Sequence, residues 1–136
     1  MTDADPTAFL HQTMPLCATL GITAESFVAE RVTLLLEWSE GLCTNGGVLH
    51  GGALMALADS AGGASAFLNL PDGAIGTSTI ESKTNFLGGV RAGVVTATAK
   101  PLHIGSTTIV VETEVRNDDR LVAKVTQTQV VLRPRS

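Results

Sequence analysis

Hydrophobic and polar positions along the chain fall into stretches of two different periods. Val28, Val32, Leu34 and Leu36 stand at strand period beside Glu30, Arg31 and Glu37, so residues 22–38 predict two strands, or one bent strand, with a hairpin near Ala29-Glu30. From Gly51 to about Leu68 the chain reads GGALMALADSAGGASAFL, which is apolar nearly all the way round and has no β-branched residue. That pattern predicts a long helix that is buried and wrapped by sheet. Beyond the turn Pro71-Asp72-Gly73, residues 74–87, 93–102, 107–117 and 121–132 read as strands, with alternation clearest in TTIVVETEV and LVAKVTQTQVVL. Asn117-Asp118-Asp119-Arg120 predicts a hairpin turn, and residues 88–93 and 104–106 predict the other reversals, so the last three strands form an antiparallel meander.

At the front, residues 3–14 predict a short helix. Asp3 or Asp5 caps it, Pro6 suits its first turn, Phe9, Leu10 and Met14 form its apolar stripe, and Met14-Pro15 ends it. Strands segregated around one central helix, without alternating strand–helix units, make the class α+β.

Composition adds an assembly expectation. A hydrophobic share of 44% with 16% charged residues is enough to build a core, and a mean hydropathy of +0.28 is high for a chain of 136 residues, while small chains bury a limited share of their surface. Subunits are therefore expected to cover one another. The nine Lys and Arg residues are dispersed and the formal charge is -4, which argues against a nucleic-acid partner. The acidic start MTDADPTAFL and the lack of an apolar run of roughly 20 residues point to a cytoplasmic protein with no membrane partner. Cys17 and Cys43 lack metal-ligand spacing and read as inert thiols, and nothing calls for a metal or cofactor.

The candidate chemistry lies where the loop Gly41–Gly47 runs into His50-Gly51-Gly52 and the central helix. A Gly-Gly helix start leaves backbone N–H groups unpaired and unshielded, and the helix dipole adds positive potential there. Gly51 N–H is the candidate oxyanion donor. Asp59, among Ala56, Leu57, Ala58, Ala61 and Gly62, is a carboxylate in apolar surroundings, which is costly unless the group is paired or functional; it reads as either a functional group or a buried structural acid. His50 reads equally as a group touching substrate or as a helix-start residue.

The run Gly47-Val48-Leu49-His50-Gly51-Gly52-Ala53, followed by Ala56-Leu57-Ala58-Asp59-Ser60, resembles the signature of hotdog-fold thioesterases, in the branch with a carboxylate on the central helix that includes phenylacetic-acid-pathway and 4-hydroxybenzoyl-CoA thioesterases. Thr79-Ile80-Glu81 and Asn85-Phe86-Leu87 continue the likeness, which covers residues 20–132 as the hotdog core, with 1–19 as a helical lead-in of the same single domain.

The resemblance implies a curved antiparallel sheet around the helix and hydrolysis of an acyl-CoA carrying a small aryl or a short to medium acyl group. Asp59 would act as nucleophile or general base and Gly51 as oxyanion donor, brought together from different subunits of a homotetramer built as a dimer of dimers. It also implies a polar helper six residues before the histidine, where this chain has Thr44 with Asn45 one place later, and a strand hydroxyl facing the carboxylate, matched best by Thr79 with Thr77 or Ser78 as neighbours. Gly52, Ser60 and Phe86 are expected against the substrate; Leu54, Met55, Ala58 and Phe67 could line the acyl pocket or be core; Arg91, Lys100, Arg116 and Arg120 are available for the CoA phosphates. Two other activities belong to the same fold: a dehydratase acting on hydroxyacyl thioesters, and a non-catalytic acyl-CoA-binding protein.

Overall fold

The computed structural model describes residues 5–135. Two short helices, α1 (Pro6–Thr13) and α2 (Pro15–Leu20), lead into the strands β1 (Thr23–Val28) and β2 (Arg31–Glu37). Single 3-10 turns at Glu40–Leu42 and Asn45–Gly47 precede the central helix α3 (Gly51–Phe67), and four strands follow: β3 (Gly76–Phe86), β4 (Val94–Ile104), β5 (Thr108–Asn117) and β6 (Arg120–Leu132). Asp5 caps α1 by accepting from Thr7 N–H, and Pro6 sits in the first turn; Asp3 lies outside the described residues. Met14-Pro15 ends α1 as expected, but Pro15 also opens the second helix.

All strands pair antiparallel in one sheet of order β1-β2-β4-β5-β6-β3. The predicted hairpin at Ala29-Glu30 and the meander β4-β5-β6 are both present. Residues 88–93 are not a hairpin reversal: β3 pairs with β6 at the sheet edge, and this segment crosses from there to β4 in the middle.

The sheet curls around α3, whose Leu54, Leu57, Ala58, Ala61 and Ala64 pack on Leu34, Leu36, Val95, Ala97, Ile109 and Val111 in one buried cluster. Burying a side chain of this kind is worth roughly 1.5–3 kcal/mol. Cys17 belongs to the same core, where burial pushes its thiol above the ordinary range, an effect that the neighbouring Ser60 hydroxyl partly offsets.

One expectation needs correction. α3 is not buried on every side: Gly52, Met55, Asp59 and Phe67 are exposed and lie on one stripe at helical spacing, because the curled sheet covers only the opposite face. The sheet edge β3 is likewise exposed along most of its 11 residues. No helix of the described residues is long and apolar enough to cross a membrane.

Candidate active site

The loop before α3 is pinned at several points. Gly46 and Gly47 adopt φ of +80° and +75°, a conformation that favours glycine. Trp38 Nε1 donates to Gly47 O, an Arg91 guanidinium nitrogen donates to Gly46 O, and Thr44 N–H donates to Val48 O. Leu49 N–H donates to Val90 O and His50 N–H to Leu42 O, which fixes where the helix starts. The side chains of Thr44 and Asn45 stand exposed on this loop.

His50 is the N-cap of α3. Its backbone is extended, and its Nδ1 accepts from Gly52 N–H at 2.7 Å. An amide can only donate, so Nδ1 is the acceptor and the neutral ring carries its proton on Nε2. A Cβ on Gly52 would fall 2.9 Å from that same Nδ1, so the Gly-Gly pair is what lets the imidazole fold back onto the helix tip. This geometry is that of the helix-start residue. With Gly52 N–H engaged, Gly51 N–H is the first amide of the helix and has no acceptor within it. The Phe86 ring stands over this position: a Cβ on Gly51 would lie 3.1 Å from its Cζ.

Two turns further on, Asp59 points away from the core. Its apolar neighbours Leu57, Ala58 and Ala61 face inward, and helical rotation therefore turns Asp59 outward, so the expectation of a carboxylate buried within its own chain is corrected to an exposed one. Its Oδ1 accepts from Gln127 Nε2 at 3.0 Å and from Thr79 Oγ1 at 3.5 Å, the outer limit of a hydrogen bond. Thr79 in turn accepts from Gln129 Nε2. Ser60, next to the carboxylate, donates its hydroxyl back to Ala56 O and is nearly buried.

The two glutamines were not among the residues singled out from the sequence. Both are buried on the inward face of β6, in line with Ala123, Val125 and Val131. Two amides in the apolar phase of an alternating strand are the signal that would have found them. Gln127 reaches the carboxylate through a gap in the helix: a Cβ on Gly62 would overlap its Oε1 at 1.3 Å.

A cavity of about 420 Å³ opens beside Asp59, with Ser60, Gly63, Phe67, Thr77, Ser78 and Thr79 among its lining. Leu54 and Ala58, by contrast, are core and do not line it. Of the basic residues, Arg91 and Arg120 share a separate groove with Gly89, Gly93, Asn117 and Asp118, whereas Arg116 is paired with Glu114 at 2.9 Å.

A model of the thioesterase superfamily matches residues 46–124, more than half of the chain and the segment that carries the end of the loop, the central helix and the strands β3 to β5. The chain belongs to the thioesterase superfamily. A relative in Listeria monocytogenes, 1,4-dihydroxy-2-naphthoyl-CoA hydrolase, is 34% identical over 106 residues, covering 77% of this chain and 85% of that protein. Among solved structures, a mutant thioesterase from Pseudomonas aeruginosa superimposes with a TM-score of 0.86 at 28% identity, covering 97% of this chain and 96% of that one. A thioesterase from Haemophilus influenzae gives 0.81 at 28% identity, covering 91% and 90%. The fold of this thioesterase is thus the hotdog fold, and its reaction class is thioester hydrolysis.

Proposed function

We propose that the protein hydrolyses acyl-CoA thioesters to the free acid and CoA, with Asp59 acting on the acyl carbon and Gly51 N–H of a partner subunit receiving the carbonyl oxygen. The observation that carries this is a carboxylate held at a cavity mouth by Gln127, on the same helix that begins with an open amide. The name of the Listeria relative supports CoA as the carrier.

In this reaction water, or first the carboxylate itself, adds to the acyl carbon while negative charge gathers on the carbonyl oxygen. Collapse breaks the C–S bond, and the CoA thiolate takes up the proton that water loses. A preplaced amide donor lowers such a barrier by about 3–4 kcal/mol. His50 serves this step by holding the helix tip open, and Phe86 shields it. Thr79 orients Asp59, and the hydroxyl of Thr44 or the amide of Asn45 holds the attacking water or the carbonyl.

The second subunit is required by distance. Gly51 and Asp59 are eight residues apart, about 12 Å along a helix rising 1.5 Å per residue, too far to serve one carbonyl. Their midpoint is Met55, which is 42% exposed on the uncovered stripe. A second copy laid antiparallel across Met55 sets Gly51 of each chain opposite Asp59 of the other and makes two equal sites, as a twofold interface demands. The open β3 edge supports the same arrangement, since a long unpaired edge strand invites pairing. Two such dimers form the tetramer.

The test is an acyl-CoA panel, aryl, short-chain and long-chain, followed by free-thiol release with a disulfide reagent. Asp59→Asn is expected to lose at least about 100-fold in kcat, within the usual range for removing an acid–base group, while its assembly by light scattering stays that of the wild type. Near-normal release of CoA by this variant contradicts the proposal.

A further inference from the structure

The two edges of the curled sheet do not meet. Between them lies the cavity beside Asp59, floored by α3 from Asp59 to Phe67, with Phe27 of β1 on one side and residues 76–79 of β3 on the other. Across the gap stands α1, contributing Phe9 and Thr13, with its C-cap Met14 beside them. This helix is docked, not loosely draped. His11 Nε2 bonds to Ile22 O at 2.6 Å, and Thr7 Oγ1 both accepts from Ala24 N–H at 3.0 Å and donates to Ala24 O at 3.3 Å.

The lining includes the hydrogen-bonded set Asp59, Thr79 and Gln129 together with the apolar side chains Phe9, Met14, Phe27 and Phe67. The chain has four phenylalanines and no tyrosine; three of the four line this cavity, and the last covers Gly51. Phe9 and Phe27 meet edge to face, with centroids 5.6 Å apart and planes at 78°, which sets a fixed aromatic wall. Among the described residues no Lys or Arg lines the space, and Asp59 is its one charged group. At about 420 Å³ it falls within the range of small-molecule pockets, roughly 300–1,000 Å³.

We infer that this cavity is the chamber for the acyl group, with α1 as its end wall, and that it selects neutral, compact acyl groups with a flat ring. The inference rests on Asp59 being the reacting carboxylate. A thioester entering with its carbonyl beside Asp59 places its acyl body against Phe9, Phe27 and Phe67. An acyl group ending in a second carboxylate meets aromatic faces and a like charge with no cation to pair it. A long linear chain meets α1.

Gly63 offers the means to test this. It lies one turn beyond Asp59, and a Cβ there would find only Met14 Cε, at 3.9 Å, so a larger side chain grows into the cavity without striking the core. Leucine is also a better helix former than glycine, which favours a folded variant.

Benzoyl-CoA, acetyl-CoA, succinyl-CoA and palmitoyl-CoA are compared on the full-length wild type, Gly63→Leu and Met14→Ala by free-thiol release. In the wild type, benzoyl-CoA is expected to be turned over with the highest kcat/KM and succinyl-CoA with the lowest. Gly63→Leu lowers the benzoyl-to-acetyl ratio of kcat/KM at least tenfold, and Met14→Ala raises the palmitoyl-to-benzoyl ratio. A wild type that prefers palmitoyl-CoA or succinyl-CoA, or ratios unchanged within twofold in both variants, overturns the chamber. Failure of the Asp59 assignment has a different signature: Asp59→Asn then keeps its turnover on all four thioesters, whatever the Gly63 ratios show.

Discussion

The tip and the middle of α3 offer opposite kinds of chemistry. At the tip the group on offer is backbone: Gly51 N–H, left without a helical acceptor and framed by the His50 cap. In the middle it is a side chain, Asp59, and its setting comes from distant strands, with Gln127 and Thr79 supplied by β6 and β3. Backbone groups need no partner to be held in place, because the helix holds them. A carboxylate on an exposed stripe is held only by what reaches it, and here that is a buried amide passing through the space left at Gly62.

The sharpest way to break this contrast is to remove the amide while keeping the helix. Proline is favoured at the first helical position and has no N–H, and His50 already has the extended backbone that a residue before proline requires. Gly51→Pro is therefore expected to lower kcat by about 10²–10³, the usual cost of one oxyanion donor, with thermal unfolding little changed. Gly51→Ala is the control: its Cβ crowds the Phe86 ring equally but its amide remains, and it is expected to keep most of the activity. Equal losses in both variants would make crowding, not the donor, the cause.

A smaller effect probes the middle. Gln127→Met keeps the bulk but removes the amide that donates to Asp59. It is expected to lower kcat roughly tenfold with KM little changed, a positioning effect below the range for losing the acid–base group itself. Gly62→Ala presses on the same side chain from the helix side, because its Cβ would overlap Gln127 Oε1. The two are predicted to be strongly non-additive: in a Gln127→Ala background the added methyl meets an empty space and costs little. Additive losses would show that Gly62 and Gln127 act independently.

The same contrast explains what was legible in the sequence. Gly51, Gly52 and His50 are adjacent, and a cap followed by glycines at a helix start is a local pattern. The meander and the hairpin at Ala29-Glu30 are also local, written in alternation and turn residues. Asp59 was legible as a residue but not in its setting, because apolar neighbours in sequence need not be neighbours in space; 57, 58 and 61 turn inward while 59 turns out. Gln127 lies 68 residues from Asp59, and the pair is joined only once β6 is laid in the sheet. The crossover at residues 88–93 was unreadable for a related reason, since strand order depends on which edges pair and not on the turn between them.

The central claim is that each reaction centre joins the tip of one helix to the middle of another, and subunit mixing tests it most directly. Gly51→Pro and Asp59→Asn proteins, each nearly inactive, are mixed in equal amounts, exchanged under mild denaturant, and assayed for CoA release. A mixed dimer then holds one intact site, Gly51 from the Asp59→Asn chain with Asp59 from the Gly51→Pro chain, so random exchange is predicted to restore about a quarter of wild-type activity. No recovery, with exchange verified by mass spectrometry of the intact assemblies, would contradict it.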